Sequence, residues 1–119
     1  MIQKELFDGL FITCQVIPMG RDYTIALYGG DRPHVGSLVL SVPRPSLTGE
    51  GISVTSSVLN GIGHKDEVVA RIFAEALAKK YEATVACSCG IHVDQISPEG
   101  IARVEEVCRE ILQELLEKE

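Results

Sequence analysis

The residues best suited to chemistry stand in three short stretches where glycine and histidine occur together. Their sequences are GGDRPHVG (29–36), GIGHKD (61–66) and GIHVD (90–94). Imidazoles, carboxylates and basic groups can bind an anion, move a proton or ligate a metal. Glycines beside them allow positive φ angles and a close approach of backbone to ligand. The polar chemistry of this chain is therefore expected in loops.

We select the polar side chains of these stretches as a candidate ligand site; they are Asp31, Arg32, His34, His64, Lys65, His92 and Asp94. If the stretches share one edge of a sheet, they converge on one cleft. Lys65 and the free N–H groups of a helix start would attract a phosphate or carboxylate. His92 and Asp94 are two residues apart on an extended segment, so Asp94 could orient the imidazole.

Other interpretations of the same residues remain open. Glycines between strands or before a helix are also ordinary turn and helix-entry sequences. Three histidines with Asp31, Asp66 and Asp94 could hold zinc, although no two histidines have the local spacing of a zinc motif. Nucleophilic catalysis is disfavoured because no serine lies in a Gly-x-Ser-x-Gly motif.

Charge and composition restrict the partners and the compartment. The net charge is −6 with no basic stripe, which argues against a nucleic acid as partner. No apolar run approaches the length of a membrane span or a signal peptide, so we expect a cytoplasmic protein that does not enter the membrane. Free, buried thiols are expected for the four cysteines, which are Cys14, Cys87, Cys89 and Cys108.

Apolar residues alternate along the first half of the chain, which predicts strands. The segments are 10–16, 23–27, 38–42 and 52–58, with Leu38, Leu40 and Val42 facing the core and Ser37 and Ser41 facing away. A small, apolar stretch at 84–93 predicts a central strand. The expected second face is polar; its residues are Thr13, Gln15, Thr24, Tyr28, Ser41, Ser53, Thr55, Ser57 and Ser88.

Two helices are predicted by apolar residues at three- and four-residue spacing. The first runs from about Asp66 to Tyr81, with an inward stripe of Val68, Val69, Ile72, Phe73, Ala76 and Leu77. The second starts at Ser97-Pro98, an N-cap followed by proline, and continues to the C-terminus.

These elements predict a single α+β domain over residues 1–119. Its order is ββββαβα, with a sheet of about five mainly antiparallel strands and two helices on one face. The polar second face could be solvated or could pair with a second copy. Small residues on the central strand, namely Ala86, Ser88 and Gly90, favour a homodimer.

Three blocks of the sequence resemble one known family. GGDRPHVGS (29–37), GHKDEVVAR (63–71) and GIHVDQISPEGI (90–101) are similar, in order and spacing, to the LpdD-like prenylated flavin chaperones. The similarity extends over about residues 25–112. Gly61-Ile62 replaces an expected Leu-Pro, and Gly100 replaces a usual acid.

The resemblance implies a non-catalytic accessory protein with a fold similar to that of the proteasome-assembly chaperones, which pair into dimers. Its implied ligand is prenylated FMN and its implied partner a UbiD-type decarboxylase. The candidate site residues fall within the matching blocks. Flavins bind aromatic or broad apolar surfaces, and only Tyr28 stands near these loops, so we expect a shallow site completed across a dimer interface.

Two other classes of function remain open beside the flavin chaperone. One is a metal-dependent enzyme that uses the three histidines. The other is an assembly chaperone that binds only proteins. Whether the chain is an enzyme is not decided by its residues, although the resemblance implies that it is not.

Overall fold

A computed structural model describes residues 1–61 and 65–118. The elements in chain order are β1 (Ile2–Phe7), β2 (Leu10–Met19), β3 (Asp22–Gly30), β4 (Ser37–Pro45), β5 (Ile52–Asn60), α1 (Lys65–Tyr81), β6 (Val85–His92) and α2 (Pro98–Glu117). The strands form one sheet in the order β1-β2-β3-β6-β4-β5. Strands β3 and β6 are parallel, and the other neighbouring strands are antiparallel.

The predicted α+β class and the two helices are confirmed, and the sheet has six strands where about five were expected. The additional strand is β1, an edge strand in which Leu6 is the buried side chain. Its polar residues conceal the alternation. The turn after it contains Asp8 and Gly9, both with positive φ, and Asp-Gly is a strong hairpin sequence. That dipeptide is the signal that could have revealed β1.

The parallel pair determines where the loops lie. Strand β6 is inserted between β3 and β4, and Gly30 at the end of β3 lies opposite His92 at the end of β6. The segment 31–36 must therefore cross the end of β6 to reach β4. We call this end of the sheet the loop edge.

The core fills the space between one face of the sheet and the helices. Its largest fully buried side chains include Phe73 of α1, Ile111 of α2 and a layer from the central strands, namely Ile12, Ile25, Leu27, Val39, Val85, Cys14, Cys87 and Cys89. We call the opposite face of the sheet the open face. No helix in the described ranges is long and apolar enough to cross a bilayer.

The predicted orientation of β4 is wrong. Ser37 and Ser41 are 1% and 0% exposed and face the helices, whereas Leu38, Leu40 and Val42 are 38%, 42% and 43% exposed on the open face. Alternation identifies the two sides of a strand but not which side is inward. The buried hydroxyls are satisfied, because Ser37 donates to Asn60 Oδ1 at 2.7 Å and Ser41 lies 2.8 Å from Ser56 Oγ.

The helix α1 is confirmed, but its buried stripe differs from the predicted one. Phe73 and Leu77 are buried as expected, while Val68 and Ile72 are exposed. Ala70, Ala74 and Ala78 occupy the other buried apolar positions, and Asp66 is also buried in the first turn. Because these side chains are small, α1 lies close to the sheet, and its larger residues on either side of the contact remain in solvent.

The predicted start of α2 is also confirmed. Ser97 has extended backbone angles, and its hydroxyl accepts the N–H of Gly100 at 3.0 Å. Pro98 takes the first helical position, where its missing N–H has no cost. The helix then packs its apolar stripe on β1 and β2.

All four cysteines are free and buried, as predicted. Burial raises the pKa of Cys14 to about 11 and that of Cys108 to about 12, and it raises the pKa values of Cys87 and Cys89 further. These thiols are therefore protonated and unreactive in the folded protein at neutral pH.

Alkaline pH is expected to destabilise the fold. Because the thiol pKa values are raised in the folded state, their contribution is complete below the unfolded value of about 9 and is lost as pH rises toward about 11 and 12. The urea midpoint should fall between pH 8 and pH 10.5, and a thiol reagent at pH 8 should label the protein only after unfolding. Rapid labelling of a native thiol at pH 8 would contradict this burial.

Candidate functional site

The loop edge brings together parts of all three predicted stretches. The segment 31–36 follows β3, the residues 93–97 follow β6, and α1 begins at Lys65 beside both. Asp31 N–H donates to the carbonyl of His92 at 2.9 Å, and Gly36 N–H donates to the carbonyl of Cys89 at 3.0 Å. The expected convergence of the loops on one edge is observed. His64 lies outside the described residues.

Four of the predicted side chains form one exposed cluster. His92 Nε2 lies 2.9 Å from Asp94 Oδ1, and Arg32 Nη2 lies 3.4 Å from Asp94 Oδ2. The backbone N–H of Asp94 donates to Asp31 Oδ2 at 2.9 Å, which ties the two loops together. The hydrogen bond from His92, with a smaller effect of the Arg32 charge, lowers the pKa of Asp94. Asp94 is therefore a carboxylate at neutral pH.

His34 does not join this cluster. Its Nε2 lies 3.2 Å from Asp66 Oδ2, and its Nδ1 lies 2.9 Å from the carbonyl oxygen of Arg32. A carbonyl only accepts, so Nδ1 donates to it. Because both ring nitrogens face groups of the protein, His34 fastens the 31–36 segment to α1 and is not free to bind a ligand without breaking a contact. His34 and His92 thus contact different carboxylates.

Asp66 is the central residue that the ligand-site prediction omitted. It is 8% exposed, and its Oδ1 accepts the N–H of Ile91 at 3.1 Å and lies 3.9 Å from Cys89 Sγ. One carboxylate therefore connects α1, β6 and the His34 loop. An acid in the first turn of a helix is also favoured by the helix dipole, so its sequence position alone does not distinguish a buried anchor from a solvated cap.

The glycines of this edge are required by close backbone contacts. A Cβ on Gly90 would lie 1.6 Å from the carbonyl oxygen of His34, and one on Gly30, whose φ is +83°, would lie 2.0 Å from that of His92. A Cβ on Gly36 would lie 2.1 Å from Asp66 Oδ2. A larger residue at any of these positions would displace a loop.

The cations at the edge are accessible. The Arg32 side chain is 71% exposed, and Lys65 is exposed at the first position of α1. Lys65 is joined to the rest of the edge through its neighbour Asp66. Both basic groups can therefore reach an anion in solvent at the loop edge.

A groove of about 500 Å³ begins beside the exposed cluster. Its walls come from the β1–β2 turn, the segment after β6 and the start of α2, and Asp31 and Asp94 line its rim. The ionisable residues that line the groove are all acids, namely Asp31, Asp94, Asp8 and Glu99. This groove is therefore unfavourable for a phosphate and favourable for a cation or a hydrogen-bond donor.

The open face offers a broader apolar surface than the sequence suggested. Leu38, Leu40 and Val42 of β4 lie beside Ala86 and Ser88 of β6, and Ala26 and Tyr28 of β3 continue the surface. The expectation that only Tyr28 provides such a surface near the loops is therefore wrong, because it depended on the inverted orientation of β4. The apolar area begins at the loop edge.

Replacing Gly90 by alanine should disrupt the loop edge. The added Cβ would force the His34 carbonyl away and so break the contact of the His34 ring with Asp66. We expect the free energy of unfolding to fall by about 1–3 kcal/mol. Ser88→Ala, on the same face of β6, is the matched control and should change stability by less. Urea denaturation and amide NMR of residues 31–36 measure both effects. Equal stability of the two variants would contradict the contact.

A family model agrees with the loop sequences. The family model for the prenylated flavin chaperone LpdD-like domain matches residues 7–119. A search of curated proteins found no match. Among solved structures, a chain described as "Crystal Structure of a Novel Chaperone Complex for Yeast 20S Proteasome Assembly" is 11% identical, with coverage of 89% of this chain and 94% of that one and a TM-score of 0.45. The family match covers nearly the whole chain and confirms the resemblance, so the protein belongs to the prenylated flavin chaperone LpdD-like family.

Proposed function

We propose that the protein binds prenylated FMN at the loop edge and supplies it to a UbiD-type decarboxylase, without catalysing a reaction itself. Family membership supports the association with this flavin. The observation that carries the proposal is the junction of two surfaces at the loop edge. The exposed Arg32 follows β3 at the end of the sheet where Tyr28 and Leu38 stand on the open face, so a phosphate and an aromatic ring can be bound at the same end of the sheet.

The residues present match the chemistry of the flavin. Arg32 and Lys65 are the cations available to its phosphate, and the first turn of α1 adds a favourable dipole. Asp31 and Asp94 can accept hydrogen bonds from the ribityl hydroxyls. Tyr28 and Leu38, on the two strands that flank β6, are large side chains of the open face near the loop edge and can contact a ring system.

The state of the reactive groups favours binding over catalysis. Both nitrogens of His34 contact protein groups, and the four thiols are buried and protonated. Asp31, Arg32, His92 and Asp94 are all exposed. An open site of this kind suits a protein that must release its ligand to a partner. Free cysteines are typical of a reducing compartment, which supports a cytoplasmic location.

Flavin titration tests the proposal. The purified chain should bind prenylated FMN, with ordinary FMN as the comparison, followed by absorbance and melting temperature. At a ligand concentration of a hundred times Kd, binding stabilises the fold by about 2.7 kcal/mol. Arg32→Ala and Lys65→Ala should each weaken binding about threefold or more, because each removes a cation from the phosphate.

The matched controls lie away from the loop edge. Arg21 is exposed in the turn between β2 and β3 at the opposite end of the sheet, and Lys79 is exposed in the last turn of α1. Arg21→Ala and Lys79→Ala should leave flavin affinity unchanged. Equal losses in the controls would mean that general electrostatic attraction, and not the loop edge, binds the flavin. Absence of binding to either flavin would refute the proposed function.

We also propose a homodimer that pairs through the open face. Leu38, Leu40 and Val42 lie beside small residues of β6 and carry no charge, and uncharged apolar surfaces are typical of interface cores. Leu40→Glu should dissociate the dimer, whereas Ile72→Glu, a similarly exposed position on α1, should not. Sedimentation velocity measures both. A monomeric wild-type chain, or a dimer that survives Leu40→Glu, would contradict this interface.

A further inference from the structure

We propose that Asp31, His92 and Asp94 form a binding site for one divalent first-row transition metal, of the Mn²⁺ or Zn²⁺ type. The ligand atoms of these residues all lie within 4.8 Å of one another. The inference goes beyond the proposed function, because flavin binding does not require it. It also differs from a site built on the histidines, since His34 is occupied by Asp66.

The separation of the donor atoms suits a metal. His92 Nε2 and Asp94 Oδ1 are 2.9 Å apart. Two atoms in adjacent octahedral positions at about 2.1 Å from a metal are about 3.0 Å apart. A metal can therefore bind both atoms with little movement of either side chain, and the proton that His92 Nε2 donates to Asp94 is released to solvent. Asp31 completes the set by rotation of its carboxylate.

The backbone holds two of the three ligands in place. The N–H of Asp94 donates to Asp31 Oδ2 at 2.9 Å, and the N–H of Asp31 donates to the carbonyl of His92. These bonds leave Asp31 Oδ1 and further lone pairs of both carboxylates for a metal. The two loops are thus joined before any ion binds, which reduces the ordering that binding requires.

The surroundings attract a cation. Asp31 and Asp94 also line the groove beside β1, whose other ionisable lining residues are Asp8 and Glu99. Among the residues that the structure describes, the positive group in direct contact is Arg32, at 3.4 Å from Asp94 Oδ2, and its exposed side chain can turn into solvent. One imidazole with two carboxylates suits Mn²⁺ or Zn²⁺ better than Mg²⁺, which prefers oxygen ligands alone.

Manganese is the probe for the test, because it has little affinity for thiols and the chain has free cysteines. Calorimetry of the chelator-treated full chain with MnCl₂ should give one site. Paramagnetic broadening of amide signals by Mn²⁺ should begin at residues 31 and 92–94. Zn²⁺ should bind more tightly than Mn²⁺, and Mg²⁺ more weakly.

Substitutions distinguish binding of Mn²⁺ at this site from nonspecific attraction of the ion to an acidic surface. Asp31→Asn and Asp94→Asn keep an acceptor oxygen and should each lower Mn²⁺ affinity about tenfold or more. Asp8→Asn is the matched control, because Asp8 lines the same groove outside the ligand set and asparagine tolerates its positive φ. An equal loss in Asp8→Asn, or broadening that begins elsewhere, would overturn the site.

Arg32→Ala provides a test of opposite sign. It removes the cation beside Asp94, so Mn²⁺ affinity should rise about two- to fivefold, while flavin affinity should fall. A loss of Mn²⁺ binding in this variant would count against the site. The failures are separable: flavin binding without Mn²⁺ binding overturns the metal site alone, and Mn²⁺ binding without flavin binding overturns the proposed function alone.

Discussion

The crossing of β6 by the segment 31–36 is the constraint on which the functional edge depends. Because β6 lies between β3 and β4, the chain that leaves β3 must pass over the end of β6 to begin β4. Its N–H groups bond to the carbonyls of His92, Gly90 and Cys89 as it crosses. The crossing segment therefore continues the hydrogen bonding of the sheet, and it carries Asp31, Arg32 and His34 to the end of β6.

This close crossing explains which residues are small and which are charged. Gly90 leaves room for the His34 carbonyl, and Gly36 leaves room for Asp66. Asp66 then accepts the N–H of Ile91 and faces the His34 ring, so α1 is held to the same edge. Removing either the space or the carboxylate would separate the three loops. The exposed cluster thus stands beside a support made by Gly36, Asp66 and Gly90, which are buried.

Local patterns predicted most of the elements because each pattern has a direct physical cause. The N-cap at Ser97, the helical spacing in 66–81 and the buried thiols all follow from the residues themselves. The inward side of β4 did not, since Leu38 and Ser37 alternate equally well in either orientation. In the structure the inward side carries Val39 together with Ser37 and Ser41, whose hydroxyls bond to polar partners on β5, and these are long-range contacts. The edge strand β1 was concealed because its exposed side is polar.

The candidate site shows the same difference between what local sequence patterns predict and what long-range contacts determine. Sequence reasoning selected Asp31, Arg32, His92 and Asp94, which the fold brings together, because glycine-rich loops at strand ends concentrate polar groups. It did not separate His34 from His92, since their different partners come from different elements. Asp66 contacts the His34 ring and joins it to α1, whereas the His92 ring contacts Asp94 within the exposed cluster. The binding chemistry of the loop edge therefore depends on which carboxylate each histidine contacts. The position of α1 against β6 determines these contacts.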